Sequence, residues 1–295
     1  PADVHPPNII TAVNDHDVSI SFGSPALWDT VSYYCHQHHT TLPSLKKVFM
    51  AGAPVPAALH LRMLRDVLTE GGDVYTPYGA TECLPVTSFQ GSLVLEETCE
   101  LTSRGHGYCV GPPLPGNDVR IIRVLDEDIP TWDPELELPA GATGEVVVRG
   151  DIVSPEYFRL PAKTAAHKIY RDDGSGEFWH RTGDVGYVDA RGRLWLRGRK
   201  THRVVMGGGT QHIFLGARRA HPVTLPGKAL YTLCCEAIFN EHDDVFRCAL
   251  VGVGSNRYNQ EPVLVVELYK AELPPDDQLG FCGVGRPHPL WIGRG

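Results

Sequence analysis

Two short stretches of this chain hold the residue types that nucleotide chemistry needs. Tyr78-Gly79-Ala80-Thr81-Glu82 sets an aromatic ring, a bare backbone, a hydroxyl and a carboxylate within one turn. Such a ring can stack on a base, the hydroxyl can donate to phosphate, and the carboxylate is an oxygen ligand suited to Mg²⁺. Gly52-Ala53-Pro54 forms a second small-residue loop, whose exposed backbone amides can approach a nucleotide closely. Far along the chain, Arg181-Thr182-Gly183-Asp184 puts a carboxylate at the expected start of a strand, where it could accept from two ribose hydroxyls, and Arg199 adds charge for a phosphate. Taken singly, each piece also fits a plain structural role: a turn, a hairpin start, a surface arginine.

These residues need elements to hold them. Lys47-Val48-Phe49-Met50 is short and largely apolar and predicts a buried strand that runs into the loop at 51–54. Pro56 suits an early helical position; Leu59, Met63, Val67 and Leu68 recur at helical spacing, and Gly71-Gly72 is the expected stop. Asp73-Val74-Tyr75 then leads into the loop at 78–82. Strand, loop, helix, strand, loop is a βαβ rhythm, which predicts a parallel sheet covered by helices. After Gly111-Pro112-Pro113-Leu114-Pro115-Gly116 the character changes. Strand-like segments at 119–124, 145–149, 184–188 and 193–197, the last two joined by the turn Asp189-Ala190-Arg191-Gly192, predict a small, mostly antiparallel unit over 113–198. A third region begins near Gly198-Arg199-Lys200, with a helix expected at 234–240 and strands at 246–251 and 263–268.

The 295 residues suffice for one large or two modest domains. With 27 basic against 35 acidic residues the net charge is −8, which argues against a general nucleic-acid binder. No apolar run is long enough to span a membrane, and the first residues lack the pattern of a secretion signal; the opening proline suggests that the true start lies upstream. The eight cysteines form no CxxC pair, so reduced thiols in a cytoplasmic protein are expected. Cys35-His36-Gln37-His38-His39 has the composition of a metal site, but adjacent histidines diverge, and the cluster reads as a helix end running into a loop.

The order of the pieces says more than any one of them. GAP at 52–54, YGATE at 78–82, GEVVVRG at 144–150, RTGD at 181–184 and GRLWLRGRK at 192–200 resemble, in sequence and spacing, the adenylate-forming superfamily of acyl-CoA synthetases, peptide-synthetase adenylation domains and luciferases. The segments 153–169 and 236–254 are similar to the same family, the latter to the opening of its small C-terminal domain. The resemblance implies an α/β fold: the back half of the nucleotide-binding core over 1–112, a small β-barrel-like subdomain over 113–198, and a truncated α+β lid domain over 199–295. It implies that Gly52, Ala53 and Pro54 line the adenine and acyl pocket, that Tyr78 and Gly79 meet adenine, that Thr81 contacts the α-phosphate and that Glu82 holds Mg²⁺. Asp184 would bind the ribose hydroxyls, and Arg199 would contact ribose or phosphate near the domain hinge. The implied reaction is attack of a carboxylate on the α-phosphate of ATP, giving an acyl-adenylate and pyrophosphate, with coenzyme A or another acceptor then taking the acyl group. Within the superfamily, YGATECLPV and LPSLKKVFMAGAPVP look most like the long-chain acyl branch, in particular the olefin-biosynthesis enzymes that convert β-hydroxy fatty acids to β-lactones.

Three departures set limits on that resemblance. The family's Ser/Thr/Gly-rich phosphate loop with its lysine is absent ahead of the GAP loop, and family members are far longer, so the front half of the large domain is expected to be missing. Nothing matches the surroundings of the family's catalytic lysine late in the small domain; Lys228 precedes the helix at 234–240 rather than following it, and it is not a Walker lysine, since Ala229 replaces the Ser/Thr. Thr201 stands where the family often has an acidic hinge residue; the β-lactone branch is also non-acidic there, so this departure is compatible with that branch. Residues 207–227 fit no part of the pattern and are expected to form a long inserted loop, and the pattern is lost again from about Gln278. The leading expectation is an AMP-forming ligase acting on a fatty or β-hydroxy fatty acid, inactive as this chain alone. Its rivals are a non-catalytic nucleotide-binding remnant and a Rossmann dehydrogenase built on Gly252-Val253-Gly254-Ser255, which lacks the third glycine and the later acidic residue. The sequence does not indicate an oligomeric state.

Overall fold

The computed structural model describes residues 4–206, 209–212, 222–225, 229–242, 244–254, 256 and 259–268. The chain divides into two compact units, Pro1–Thr102 with Tyr108–Leu196, and Ser103–Gly107 with Arg197–Gly295.

The first unit opens with helix α1 (Pro6–Asp15), strand β1 (Ile20–Gly23), α2 (Pro25–His38), β2 (Lys47–Met50), α3 (Ala57–Arg62), β3 (Asp73–Ala80) and β4 (Cys83–Gln90). Helix α2 begins where its sequence permits: the Ser24 hydroxyl accepts the Leu27 amide at 3.2 Å, and Pro25 needs no amide partner in the first turn. β1, β2 and β3 are parallel, and β4 returns antiparallel on β3. The sheet is therefore mixed rather than purely parallel, and Tyr78, Gly79 and Ala80 belong to β3, leaving only Thr81 and Glu82 as the turn. Val48, Met50 and Val74 of the sheet pack with Trp28, Val31, Cys35, Leu59 and Met63 of the helices in one buried cluster. Helix α3 continues in wide turns over Met63–Val67 and ends there, before the expected stop at Gly71-Gly72. The Val67 carbonyl is taken by the Leu42 amide at 2.8 Å, and Leu68 is already extended.

The Cys35–His39 cluster is a helix end. Cys35 is fully buried, and burial pushes its thiol up to about 11. His36 pairs with Asp66 at 2.8 Å, His38 stacks on Tyr34, and His39 closes the helix in the left-handed region.

The rest of the first unit is built on an antiparallel sheet of β5 (Tyr108–Gly111), β6 (Asp118–Ile122), β7 (Gly144–Arg149), β8 (Lys168–Tyr170), β9 (Phe178–Val188) and β10 (Leu194–Arg199, whose last three residues fall in the second unit), with helix α4 (Pro161–His167) ahead of β8. The strand order is β5-β10-β9-β7-β6, with β8 also on β9. Among the described residues this path stays open, so the barrel-like expectation is corrected to an open sheet. The β9–β10 hairpin turns as its sequence predicts, the Asp189 carboxylate accepting the Arg191 and Arg193 amides at 2.9 Å each. β7 is buried on both faces: Val146 and Val148 pack with Cys83 and Val86 of β4, and Val147 packs with Ile169 and Trp179.

In the second unit β11 (Val204–Val205) pairs with β14 (Ala229–Leu230), and β12 (Gly209–His212) pairs antiparallel with β13 (Pro222–Leu225). The stretch expected as a plain loop thus contains a two-stranded ribbon. Helix α5 (Thr232–Phe239) precedes the hairpin of β15 (Val245–Val253) and β16 (Glu261–Leu268). The remainder of 207–227, Lys228, Ser255, Cys282 and the tail from Gln278 lie outside the described residues. Among the described residues, no helix is long and apolar enough to cross a membrane.

One buried group makes the first unit sensitive to acid. His60 of α3 is 1% exposed, and its Nδ1 has no hydrogen-bond partner among the described residues. Burial holds its pKa down at about 4, against a smaller upward pull from Asp73. Between pH 6.5 and 4 the unfolded chain therefore binds a proton that the folded chain refuses, and stability falls as pH drops through that window by up to about 1.4 kcal/mol per unit. His60→Met should flatten this slope, as measured by urea midpoints at pH 7 and 4.5; an unchanged slope would show that other groups carry the acid lability.

Candidate active site

The loop at 52–54 follows β2, and the Tyr78–Ala80 segment ends β3, so both sit at the carboxyl ends of adjacent parallel strands. Open α/β sheets bind ligands at these ends. Gly52, Ala53 and Pro54 are all exposed there.

Gly79 owes its identity to the hairpin it enters. A side chain at this position would collide with the Cys83 carbonyl oxygen and would lie 2.8 Å from the Leu84 side chain. The β3–β4 register slips between Tyr78 and Ala80, which brings the returning strand over the bare backbone. Gly79→Ala should therefore cost about 1–3 kcal/mol of stability by overpacking, measured as a shift in urea midpoint.

Asp184 lies within the 11-residue strand β9, not at a strand start. The pairing of β7 with β9 passes from Glu145↔Val185 to Val147↔Arg181. One residue of β7, Val146, is thus opposed by Thr182, Gly183 and Asp184. This bulge turns Asp184 out of the ladder, and Gly183 supplies the left-handed φ of +74° it needs. The Thr182 hydroxyl donates to the Val146 carbonyl at 3.0 Å and accepts the Asp184 amide at 3.1 Å, so the bulge keeps its backbone groups satisfied.

The bulge meets the end of β3. The Tyr78 hydroxyl donates to Asp184 Oδ2 at 2.8 Å across 106 residues of sequence. Burial, then the Asp184 charge and this bond, push the Tyr78 phenol well up. Burial raises the Cys83 thiol, next in sequence to Glu82. Thr81 is exposed in the turn. Arg199, exposed at the end of β10, belongs to the second unit.

Around Glu82 the structure adds residues that sequence reasoning did not single out. The Tyr157 hydroxyl donates to Glu82 Oε1 at 2.7 Å, and the Ser154 amide donates to the Glu82 carbonyl at 2.8 Å. Burial would raise the Glu82 carboxyl, but the Tyr157 hydroxyl, its own amide and the Lys168 charge outweigh it and hold the group below its usual range. Lys168, 1% exposed, donates to the Ser154 carbonyl at 2.5 Å and lies 3.2 Å from His180 Nδ1. Burial lowers Lys168 to about 8 and, together with the Lys168 charge, lowers His180 to about 4. At neutral pH the lysine is thus the charged donor and the histidine a neutral acceptor. Tyr157, Lys168 and His180 all lie in or beside the family-like segments 153–169 and 181–184, but nothing in their spacing shows which of them turn inward.

The family model described as AMP-binding enzyme matches residues 1–158, more than half of the chain. The chain belongs to the AMP-binding enzyme family. It is 39% identical over its whole length to the olefin beta-lactone synthetase of Xanthomonas campestris pv. campestris, covering 50% of that protein, and 40% identical over 92% of its length to the olefin beta-lactone synthetase of Stenotrophomonas maltophilia, covering 45%. The chain thus spans about half the length of the curated relatives it matches. Among solved structures, amide bond synthetase McbA from Marinactinospora thermotolerans superposes with a TM-score of 0.66 at 25% identity, over 94% of this chain and 47% of that one. The α/β fold and the resemblance to the β-lactone branch both agree with these likenesses.

Glu82 has the chemistry of a single-carboxylate Mg²⁺ ligand. Among the described residues no three His, Cys, Asp or Glu side chains gather as a protein-built metal cage. Mg²⁺ is held characteristically by one or two carboxylates together with substrate phosphates, and an ionised Glu82 in an accessible turn answers that description.

Proposed function

We propose that this chain carries the nucleotide-binding residues of an ATP-dependent, AMP-forming acid ligase that adenylates a long-chain or β-hydroxy fatty acid. Coenzyme A or the substrate's own hydroxyl would be the acyl acceptor. The observation that carries the reading is the Tyr78–Asp184 hydrogen bond, which joins the ends of two distant motifs beside Glu82. In this reading the Tyr78 ring stacks on adenine, with Gly79 and the 52–54 loop beside it. Asp184 accepts from the ribose hydroxyls, and Thr81 donates to the α-phosphate. Glu82 holds Mg²⁺, which neutralises phosphate charge as the substrate carboxylate attacks the α-phosphate and pyrophosphate leaves. The likeness to two olefin beta-lactone synthetases supports the β-hydroxy acid among the candidate substrates. We place the enzyme in the cytoplasm and assign 1–112 to the nucleotide core, 113–198 to its β subdomain and 199–295 to the lid.

The chain has no counterpart of the family's two lysine-bearing motifs among the residues that resemble it, which favours binding without turnover by this chain alone. Incubation with ATP, Mg²⁺ and long-chain acids, followed by pyrophosphate release, tests this beside calorimetry with AMP. Binding of AMP with no release is expected here, and release is expected from a longer parent polypeptide. A parent that also binds without releasing pyrophosphate would make the protein a nucleotide-binding remnant, and failure of this chain to bind AMP would refute the site.

A further inference from the structure

The ligase reading gives Glu82 a metal to hold but does not explain what keeps a turn carboxylate in place. Two bonds fix Glu82: the Ser154 amide on its carbonyl and the Tyr157 hydroxyl on its carboxylate. Both come from one short segment that runs between β7 and α4, and this segment is tied down at each end. At Tyr157 the backbone amide donates to the Thr164 hydroxyl of α4 at 3.0 Å. At Ser154 the carbonyl accepts from the Lys168 ammonium at 2.5 Å. The Ser154 backbone is therefore a relay, its carbonyl held by Lys168 while its amide holds Glu82.

Lys168 is well suited to such a task. It lies directly opposite His180 in the β8–β9 pairing, is 1% exposed, and sits 5.0 Å over the Phe178 ring. Burying an ammonium costs several kcal/mol unless its hydrogens are used, yet its only hydrogen-bonding partners among the described residues are the Ser154 carbonyl and His180 Nδ1. A methionine would fill the same volume more cheaply. What the charge adds is a short, charge-assisted grip on the segment that holds Glu82.

We propose that Lys168 is a positioning residue for Glu82, acting through Ser154 and the segment to Tyr157 to hold the carboxylate ready for the magnesium of bound ATP. The inference rests on the ligase reading above. Partners of metal-binding carboxylates typically change metal affinity by about tenfold to a hundredfold, and the same scale is expected here.

The experiment measures ATP affinity of this chain with Mg²⁺ and with EDTA, in the original protein and in K168M, K168R and Y157F, with near-ultraviolet circular dichroism to confirm folding. In the original protein Mg²⁺ should tighten ATP binding. K168M should lose about tenfold or more of that increment while keeping its affinity in EDTA, and K168R should restore much of it. Y157F removes only the hydroxyl bond to Glu82, so it should reproduce the loss without disturbing the buried lysine, and it carries the test if K168M does not fold. An intact Mg²⁺ increment in folded K168M, or in Y157F should K168M not fold, overturns the proposal; an equal loss with and without Mg²⁺ reduces Lys168 to a structural role and overturns it too. If the original protein shows no Mg²⁺ increment, it is the ligase reading that fails, and the inference falls with it.

Discussion

Arg181→Leu should destabilise the first unit by about 3–5 kcal/mol, the cost typical of stripping one partner from a buried ion pair. The guanidinium grips Glu145 of β7 with two parallel bonds, Nε to Oε1 at 3.1 Å and an Nη to Oε2 at 2.7 Å. The two side chains are 4% and 2% exposed. The remaining donors reach the Glu127 and Leu125 carbonyls at 2.8 and 2.6 Å, so one side chain ties β7, β9 and the loop after β6 together. Without it Glu145 keeps a desolvated charge and two carbonyls lose their donors. Arg181→Lys should recover only part of the loss, because an ammonium cannot reproduce the planar fork. Arg181→Leu with Glu145→Leu should be markedly less damaging than the single change, since it removes both charges at once. Urea midpoints of the four proteins decide the matter; a single variant within about 1 kcal/mol of the original would show that water or rearrangement satisfies Glu145.

The contrast between Arg181 and Asp184, three residues apart, shows what the sequence could and could not convey. The run of three valines in GEVVVRG and the turn Asp189-Ala190-Arg191-Gly192 are local signals, and they placed β7 and the β9–β10 hairpin correctly. The order of the motifs identified the family. The position of Asp184 depends instead on a slip in pairing between β7 and β9, a property of two strands about forty residues apart that neither strand displays alone. The same holds for the grip of Lys168 on Ser154, and for Gly79, whose missing side chain matters because β4 returns over it. Lysine is a residue type expected at the surface, and only its cross-strand partner His180 and the Ser154 carbonyl make its burial intelligible. The open edge of the antiparallel sheet was likewise illegible, since strand count and alternation are the same for a closed and an open sheet.

Asp184→Ala should weaken AMP binding by about a hundredfold, whereas Glu82→Gln should leave it nearly unchanged. Two hydroxyls donating to one carboxylate are charge-assisted bonds worth about 1.5–3 kcal/mol each, and losing both amounts to roughly two powers of ten or more in affinity. AMP without metal makes no demand on Glu82, so the two carboxylates separate cleanly by ligand. Tyr78→Phe supplies the internal comparison. It keeps the ring and removes only the hydroxyl that orients Asp184 at 2.8 Å, so a loss of a few-fold is expected. Asp184→Asn should fall between alanine and the original, because the amide can still accept from Tyr78 but carries no charge. Isothermal calorimetry with AMP ranks the five proteins. The bulge at Thr182–Gly183 costs a strand its regular ladder, and a nucleotide sugar gripped by the buried carboxylate of Asp184 that follows it would account for that cost. If Asp184→Ala folds and binds AMP as the original does, the bulge serves the packing of β7 against β9 alone, and the sugar must be held elsewhere.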